Sequence, residues 1–189
     1  LFTTVMNIRD IDPTYEPITV DGLFYYALRY NGILKIQQGS LEVGLYYLSM
    51  AEEMAPLDAN AFSGYTSTES YRSWAKMYVD AATYYGIDWY TAADRFYTLM
   101  GIVPHFVDAS GITAKQRYYE TLEGIGDVLQ MEYKYCEAVS QYEAAAAVLT
   151  EQEFLDKLVL AREYCANPPA TPTPTVDPNA PTATPEIVQ

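Results

Sequence analysis

Gly39-Ser-Leu-Glu-Val-Gly44-Leu-Tyr-Tyr-Leu48-Ser-Met-Ala51, followed by Pro56, is the stretch on which the fold turns. Gly44, Leu48 and Ala51 recur at steps of four and three residues and so share one face of a helix. Gly39 and Pro56 punctuate the chain on either side of it. Twelve residues before Gly44, Gly32 lies in a second segment of helical periodicity. A small residue on each of two antiparallel helices lets their backbones approach closely, and Leu48, one turn on, fills the space above the contact.

The same steps return in Gly126, Ala138, Tyr142 and Ala145, with identical spacing. Ala81, Ala93 and Tyr97 repeat them between the two, with Met100 where the others have Ala. Working outward, the apolar spacing predicts helices over 23–37, 41–55, 68–85, 88–102, 113–131, 135–148 and 151–165, separated by Gly and Pro. The predicted fold is all-α: three antiparallel helical hairpins and a C-terminal capping helix, within a domain spanning residues 22–166. Residues 1–21 contain Pro13, Pro17 and β-branched residues, and read as an extended N-terminal arm. Residues 167–189 form a Pro/Thr-rich tail, since seven of the eleven prolines fall between Pro168 and Pro185. Such a tail favours polyproline II, and Thr171, Thr173, Thr175, Thr182 and Thr184 are candidate O-glycosylation sites on an exported stalk.

The helix pairs resemble the tetratricopeptide repeat family. The 39–56 stretch looks like that family's second helix with its breaker, and Tyr135-Cys-Glu-Ala138-Val-Ser-Gln-Tyr142-Glu-Ala-Ala145 is a second match. The likeness covers about three quarters of the chain and implies a solenoid that binds other proteins. The family repeats about every 34 residues, whereas Gly44 to Ala93 spans 49 and Ala93 to Ala138 spans 45. The extra residues, around 58–67 and 108–113, predict longer connections between repeats. An irregular helical bundle with Ala-rich contacts is the alternative.

With 11 Lys and Arg against a net charge of -14, neither nucleic acid nor an anionic membrane surface is an expected partner. No run of about eighteen uncharged apolar residues provides a membrane span. The chain opens on Leu1 without Met, which suggests a leader or N-terminal anchor that was removed or lies outside the numbered segment. Asp10, Asp12, Thr14, Glu16 and Asp21 have oxygens at spacings faintly like a calcium loop, but Tyr15 stands where the turn needs Gly. His105 is the single histidine, and no phosphate loop, zinc-ligand spacing or nucleophile elbow accompanies it. Glu52 with Glu53 and Glu151 with Glu153 read as solvated helix faces. A non-enzymatic chain without metal or cofactor is expected.

Cys136 and Cys165 stand about equally far from the turn between the last two helices, which brings them level in an antiparallel pair. A disulfide is the first reading, and two buried free thiols the second. Nineteen tyrosines exceed what the core needs, so some face outward, and tyrosine is enriched at interfaces. Tyr25, Tyr26, Tyr46, Tyr47, Tyr84, Tyr85, Tyr118 and Tyr119 are the candidate binding residues. Together these features predict a bacterial extracellular or cell-surface protein that binds protein, as a homo-oligomer or filament assembled through its termini. The alternative is a peptide- or protein-binding adaptor module of a secreted or membrane-anchored protein.

Overall fold

The computed structural model describes residues 1–60, 66–149 and 152–169. Among these, eight helices run in order: α1 (Phe2–Ile11), α2 (Pro17–Gln37), α3 (Leu41–Met54), α4 (Thr68–Tyr84), α5 (Trp89–Ile102), α6 (Ala114–Met131), α7 (Tyr135–Val148) and α8 (Gln152–Ala166). The described residues contain no strand, and Val107 and Thr113 form an isolated bridge. Each helix packs chiefly on its neighbour in sequence, and α2 also touches α4.

The helix ends obey local chemistry. The side chains of Ser67, Asp88 and Thr113 accept hydrogen bonds from the backbone N–H groups of Ser70, Thr91 and Gln116, capping α4, α5 and α6. At the end of α2, Gly39 takes a φ of 81°. The Ser40 N–H then bonds to Lys35 O and the Gly39 N–H to Ile36 O, both at 2.9 Å. The end of α6 repeats this pattern through Lys134 to Leu129 and Tyr133 to Gln130, but the left-handed residue there is Tyr133, φ 62°.

Residues 1–21 are not an extended arm. They form α1, a turn, and the first residues of α2, so the expected boundary at residue 21 falls inside a helix. Threonine and valine lower helix propensity by only tenths of a kcal/mol each, which tertiary packing overrides. Val5 is buried, Phe2 stacks on Phe24 at 5.6 Å and meets Tyr47 edge-on, and Arg9 pairs with Asp21. Pro17 occupies the first turn of α2, where its missing N–H costs nothing. Asp12 accepts bonds from the Thr14 N–H and hydroxyl, and these hold the turn.

Close approach of α2 and α3 occurs at Gly32 and Gly44. A Cβ on Gly44 would lie 2.7 Å from Gly32 O and 3.0 Å from Ile36 N, while Leu48 sits over Gly32. Between α6 and α7, the ring of Tyr142 takes the space over Gly126. In α5 the register differs by one residue from the sequence reading: Ala92, Phe96 and Leu99 are buried, whereas Tyr97 is 58% exposed. Two adjacent alanines, Ala92 and Ala93, can each serve as the small residue, so spacing alone does not distinguish them.

Most of the buried hydrophobic side chains fall into two clusters. One gathers Ile36, Leu48, Tyr78, Phe96 and Leu99 from α2 to α5, with Ala114 at the start of α6. The other joins α6, α7 and α8 through Tyr119, Ile125, Tyr142, Phe154 and Leu158. Within it Phe154 meets Tyr119 and Tyr142 edge-on at 5.3 and 5.5 Å.

Candidate functional site

The eight candidate tyrosines do not form one surface. Tyr26 and Tyr46 are exposed, at 56% and 63%, and Tyr26 stacks on Tyr30. Tyr25 is half-buried and donates its hydroxyl to Pro56 O at 2.7 Å, fastening α2 to the end of α3. Tyr47 packs on Phe2, and Tyr84 lies under the Arg95 guanidinium. Tyr85 donates to Glu120 at 2.8 Å and lies beneath Arg117. Tyr119 belongs to the core. Tyr118 is half-buried against Tyr97, with ring centroids 5.4 Å apart.

Tyr118 leads to a surface that the sequence did not single out. An open groove of about 310 Å³ runs over α6 between α5 and α7. Tyr90 and Tyr97 stand seven residues apart on its rim, Leu122 and Ile125 contribute to its apolar lining, and Gln141 faces it from α7. A second hollow lies where α7 begins and α8 ends. It is lined by Tyr133, Lys134, Tyr135, Glu137, Tyr164 and Pro168, with Tyr135 and Tyr164 meeting edge-on at 5.3 Å. Their sequence signal was the i, i+7 spacing of Tyr90 and Tyr97 and the clustering of Tyr133 with Tyr135.

Cys136 and Cys165 lie in the same hollow, disulfide-bonded with Cα atoms 4.8 Å apart. Their bond ties the start of α7 to the end of α8. Thr171, Thr173, Thr175, Thr182 and Thr184 fall outside the described residues, so the expected glycosylation sites are not placed.

No protein-family model matches the chain, and no curated protein or solved structure is significantly similar to it. Its chemistry must therefore be argued from its own side chains. His105 is exposed in the turn after α5, and Glu52 pairs with Arg72. Among the described residues, no three His, Cys, Asp or Glu converge on a point that could hold a metal ion. Asp12 and Asp21, from the sequence that faintly resembled a calcium loop, bond instead to Thr14 and Arg9. No described helix is long and apolar enough to cross a membrane.

Polar bridges link helices that are not adjacent in sequence. Arg29 of α2 reaches Thr68 at the start of α4 and pairs with Asp58. Tyr78 of α4 donates to Asp108 at 3.0 Å or to Ile112 O at 2.9 Å, and Arg117 of α6 bonds to Asp108 at 2.8 Å and Glu120 at 3.1 Å. Lys157 of α8 spans Glu123 and Asp127 of α6, with Tyr142 donating to the same Asp127. Burial alone would raise the Asp108 carboxyl, but Arg117 and the Ile112 N–H outweigh it and hold it below the ordinary range.

The bridging tyrosines shift the other way. Burial, reinforced by Glu120, pushes Tyr85 up to about 12, and burial with Asp127 pushes Tyr142 higher still. Because the unfolded chain ionises its tyrosines near pH 10, these phenols contribute full stability below that pH and lose it as pH rises through their folded values. The melting temperature is expected to hold from pH 7 to about 9 and to fall between about pH 10 and 12. Tyr142→Phe should flatten the fall, after losing about 0.5 to 1.5 kcal/mol of hydrogen-bond stability at neutral pH. A wild-type melting temperature unchanged to pH 12 would contradict the linkage.

Proposed function

We propose that the chain is a non-catalytic helical-repeat scaffold of the tetratricopeptide type, which binds protein through exposed tyrosines and assembles with further copies of itself outside the cell. The observation that supports it most directly is the character of the surface. Seven described tyrosines are 51 to 63% exposed, and tyrosine offers large, rigid contact area at low entropic cost together with a hydroxyl that tolerates water. The recurring small residues fit a spaced repeat array, since Gly44, Ala92 and Ala138 occupy corresponding buried positions 48 and 46 residues apart. A disulfide between α7 and α8 suits an oxidising compartment.

Copies that each carry a net charge of -14 repel one another, so association has to be driven by aromatic and aliphatic burial. Salt screens that repulsion and leaves the apolar contact intact. Sedimentation velocity and negative-stain microscopy are therefore expected to show assemblies that grow with protein concentration and persist in about 1 M salt, where the screening length is about 3 Å. A chain that stays monomeric at high concentration and high salt rejects self-assembly.

A second reading is capture of a peptide from another protein. A groove of about 320 Å³ between α2 and α4 favours it, with Arg29, Ile33, Gln37 and Tyr71 in its lining. Guanidinium, amide and phenol donors beside an isoleucine suit a peptide backbone and one apolar side chain.

A further inference from the structure

We infer that the open groove over α6 binds an arginine side chain of another protein. The inference rests on the reading that exposed tyrosines bind protein, and it names what one part of that surface recognises. A constellation repeated within the fold points to it. Arg9, Arg29, Arg95 and Arg117 lie over the rings of Phe24, Tyr25, Tyr84 and Tyr85, with guanidinium carbon to ring centroid distances of 4.6 to 5.5 Å. The same four arginines pair with Asp21, Asp58, Asp80 and Asp108. Ring, carboxylate and guanidinium thus come together four times, and each time the cation is attracted by the ring face and by the carboxylate at once.

The groove presents the first two of these parts to solvent. Tyr90, Asp94 and Tyr97 follow one another at steps of four and three residues, so they form one strip along α5. Tyr90 and Tyr97 are 59% and 58% exposed, and Tyr118 stands against Tyr97. Asp94 is exposed on the same strip, and among the described residues no cation pairs with it, since Arg95 beside it in sequence turns to Asp80. Neither lysine nor arginine contributes to the lining. Lys134, near enough to Tyr90 for their charges to interact, is bound to Glu132 at 2.8 Å. Ala93, Leu122 and Ile125 offer apolar surface to a methylene stem, and the Gln141 side-chain carbonyl is a further acceptor for N–H groups.

Charge decides which kind of partner brings the arginine. All six arginines of the chain are paired with its own carboxylates, so a second copy would have to break an ion pair to fill the groove. A net charge of -14 also repels a second copy and draws a cationic segment of a different protein. Arginine suits the site better than lysine, because a flat, weakly hydrated guanidinium stacks on a phenol face while its N–H groups bond to the carboxylate.

Three capped peptides test this on the full chain: acetyl-Gly-Leu-Arg-Leu-Gly-amide and the same sequence with lysine or glutamine in the central place. Backbone amide shifts of the isotope-labelled protein, followed by NMR in about 0.15 M salt, report both affinity and place. The arginine peptide is expected to bind about tenfold more tightly than the glutamine peptide, with shifts centred on Tyr90, Asp94 and Tyr97. The lysine peptide carries the same charge, so it measures bulk attraction to an acidic chain and should bind several-fold more weakly than the arginine peptide. Asp94→Asn and Tyr97→Leu, both at exposed positions, should each weaken the arginine peptide about fivefold, and Asp94→Asn should leave the glutamine peptide unchanged. Equal affinity for the arginine and lysine peptides overturns the inference, as does arginine binding that Asp94→Asn leaves intact or no shift at about 5 mM peptide. Shifts centred on Tyr26 and Tyr46 overturn it too, while leaving tyrosine-mediated binding in place. Self-assembly, read separately by sedimentation, is untouched by any of these outcomes.

Discussion

Gly44→Ala is expected to destabilise the chain by about 3 kcal/mol, at the upper end of ordinary overpacking, although Ala favours a helix interior by about 1 kcal/mol over Gly. The added methyl would meet backbone, Gly32 O at 2.7 Å and Ile36 N at 3.0 Å. No rotamer change relieves a backbone collision, so α2 and α3 would have to separate and Leu48 would lose its seat on Gly32. Gly22→Ala supplies the opposite sign in the same helix pair. It lies in α2 with nothing within 4 Å of the new methyl, so it should gain about 1 kcal/mol from propensity alone. Urea unfolding of the two variants reads both effects, and equal midpoints would show that α2 and α3 do not meet at Gly44.

Removing the Cys136–Cys165 bond is expected to cost about 3 to 4 kcal/mol, from the loop-closure entropy of a cross-link spanning a separation of 29 residues. The loss should concentrate in the second cluster, because Phe154 and Leu158 cover α6 and α7 only while α8 is docked. Cys136→Ser with Cys165→Ser should lower the melting temperature, and dithiothreitol should do the same to the natural chain. Intact mass after alkylation without reductant is the direct check. Uptake of two alkyl groups by the native protein would show free thiols and remove the basis for this loss.

Much of the helical order was legible in sequence, for local reasons. From α3 to α8 the observed ends lie within a residue or so of those expected from Gly, Pro and apolar spacing, and Ser67, Asp88 and Thr113 supply caps at three of them. Features that depend on tertiary contact were not legible. Threonine and valine disguised α1, which is held by Phe2 and Val5 against α2 and α3. Tyrosine pairs misled for a geometric reason: neighbouring residues on a helix point about 100° apart. A Tyr-Tyr pair therefore rarely offers both rings to solvent, and exposed Tyr26 and Tyr46 have half-buried partners in Tyr25 and Tyr47. The groove around Tyr90 and Tyr97 needs three helices to exist, so no single segment announces it.

The cross-link between α7 and α8 also governs how the chain responds to tension. Force applied at the two ends runs from Cys136 directly to Cys165, and the residues between them carry no load while the bond holds. At roughly 3.4 Å per extended residue, that bypass withholds about 100 Å of contour length. Stretching is confined to the segments before Cys136 and after Cys165. The α2–α5 cluster contains no covalent tie, so under such a load it can lengthen, whereas the residues enclosed by the bond cannot.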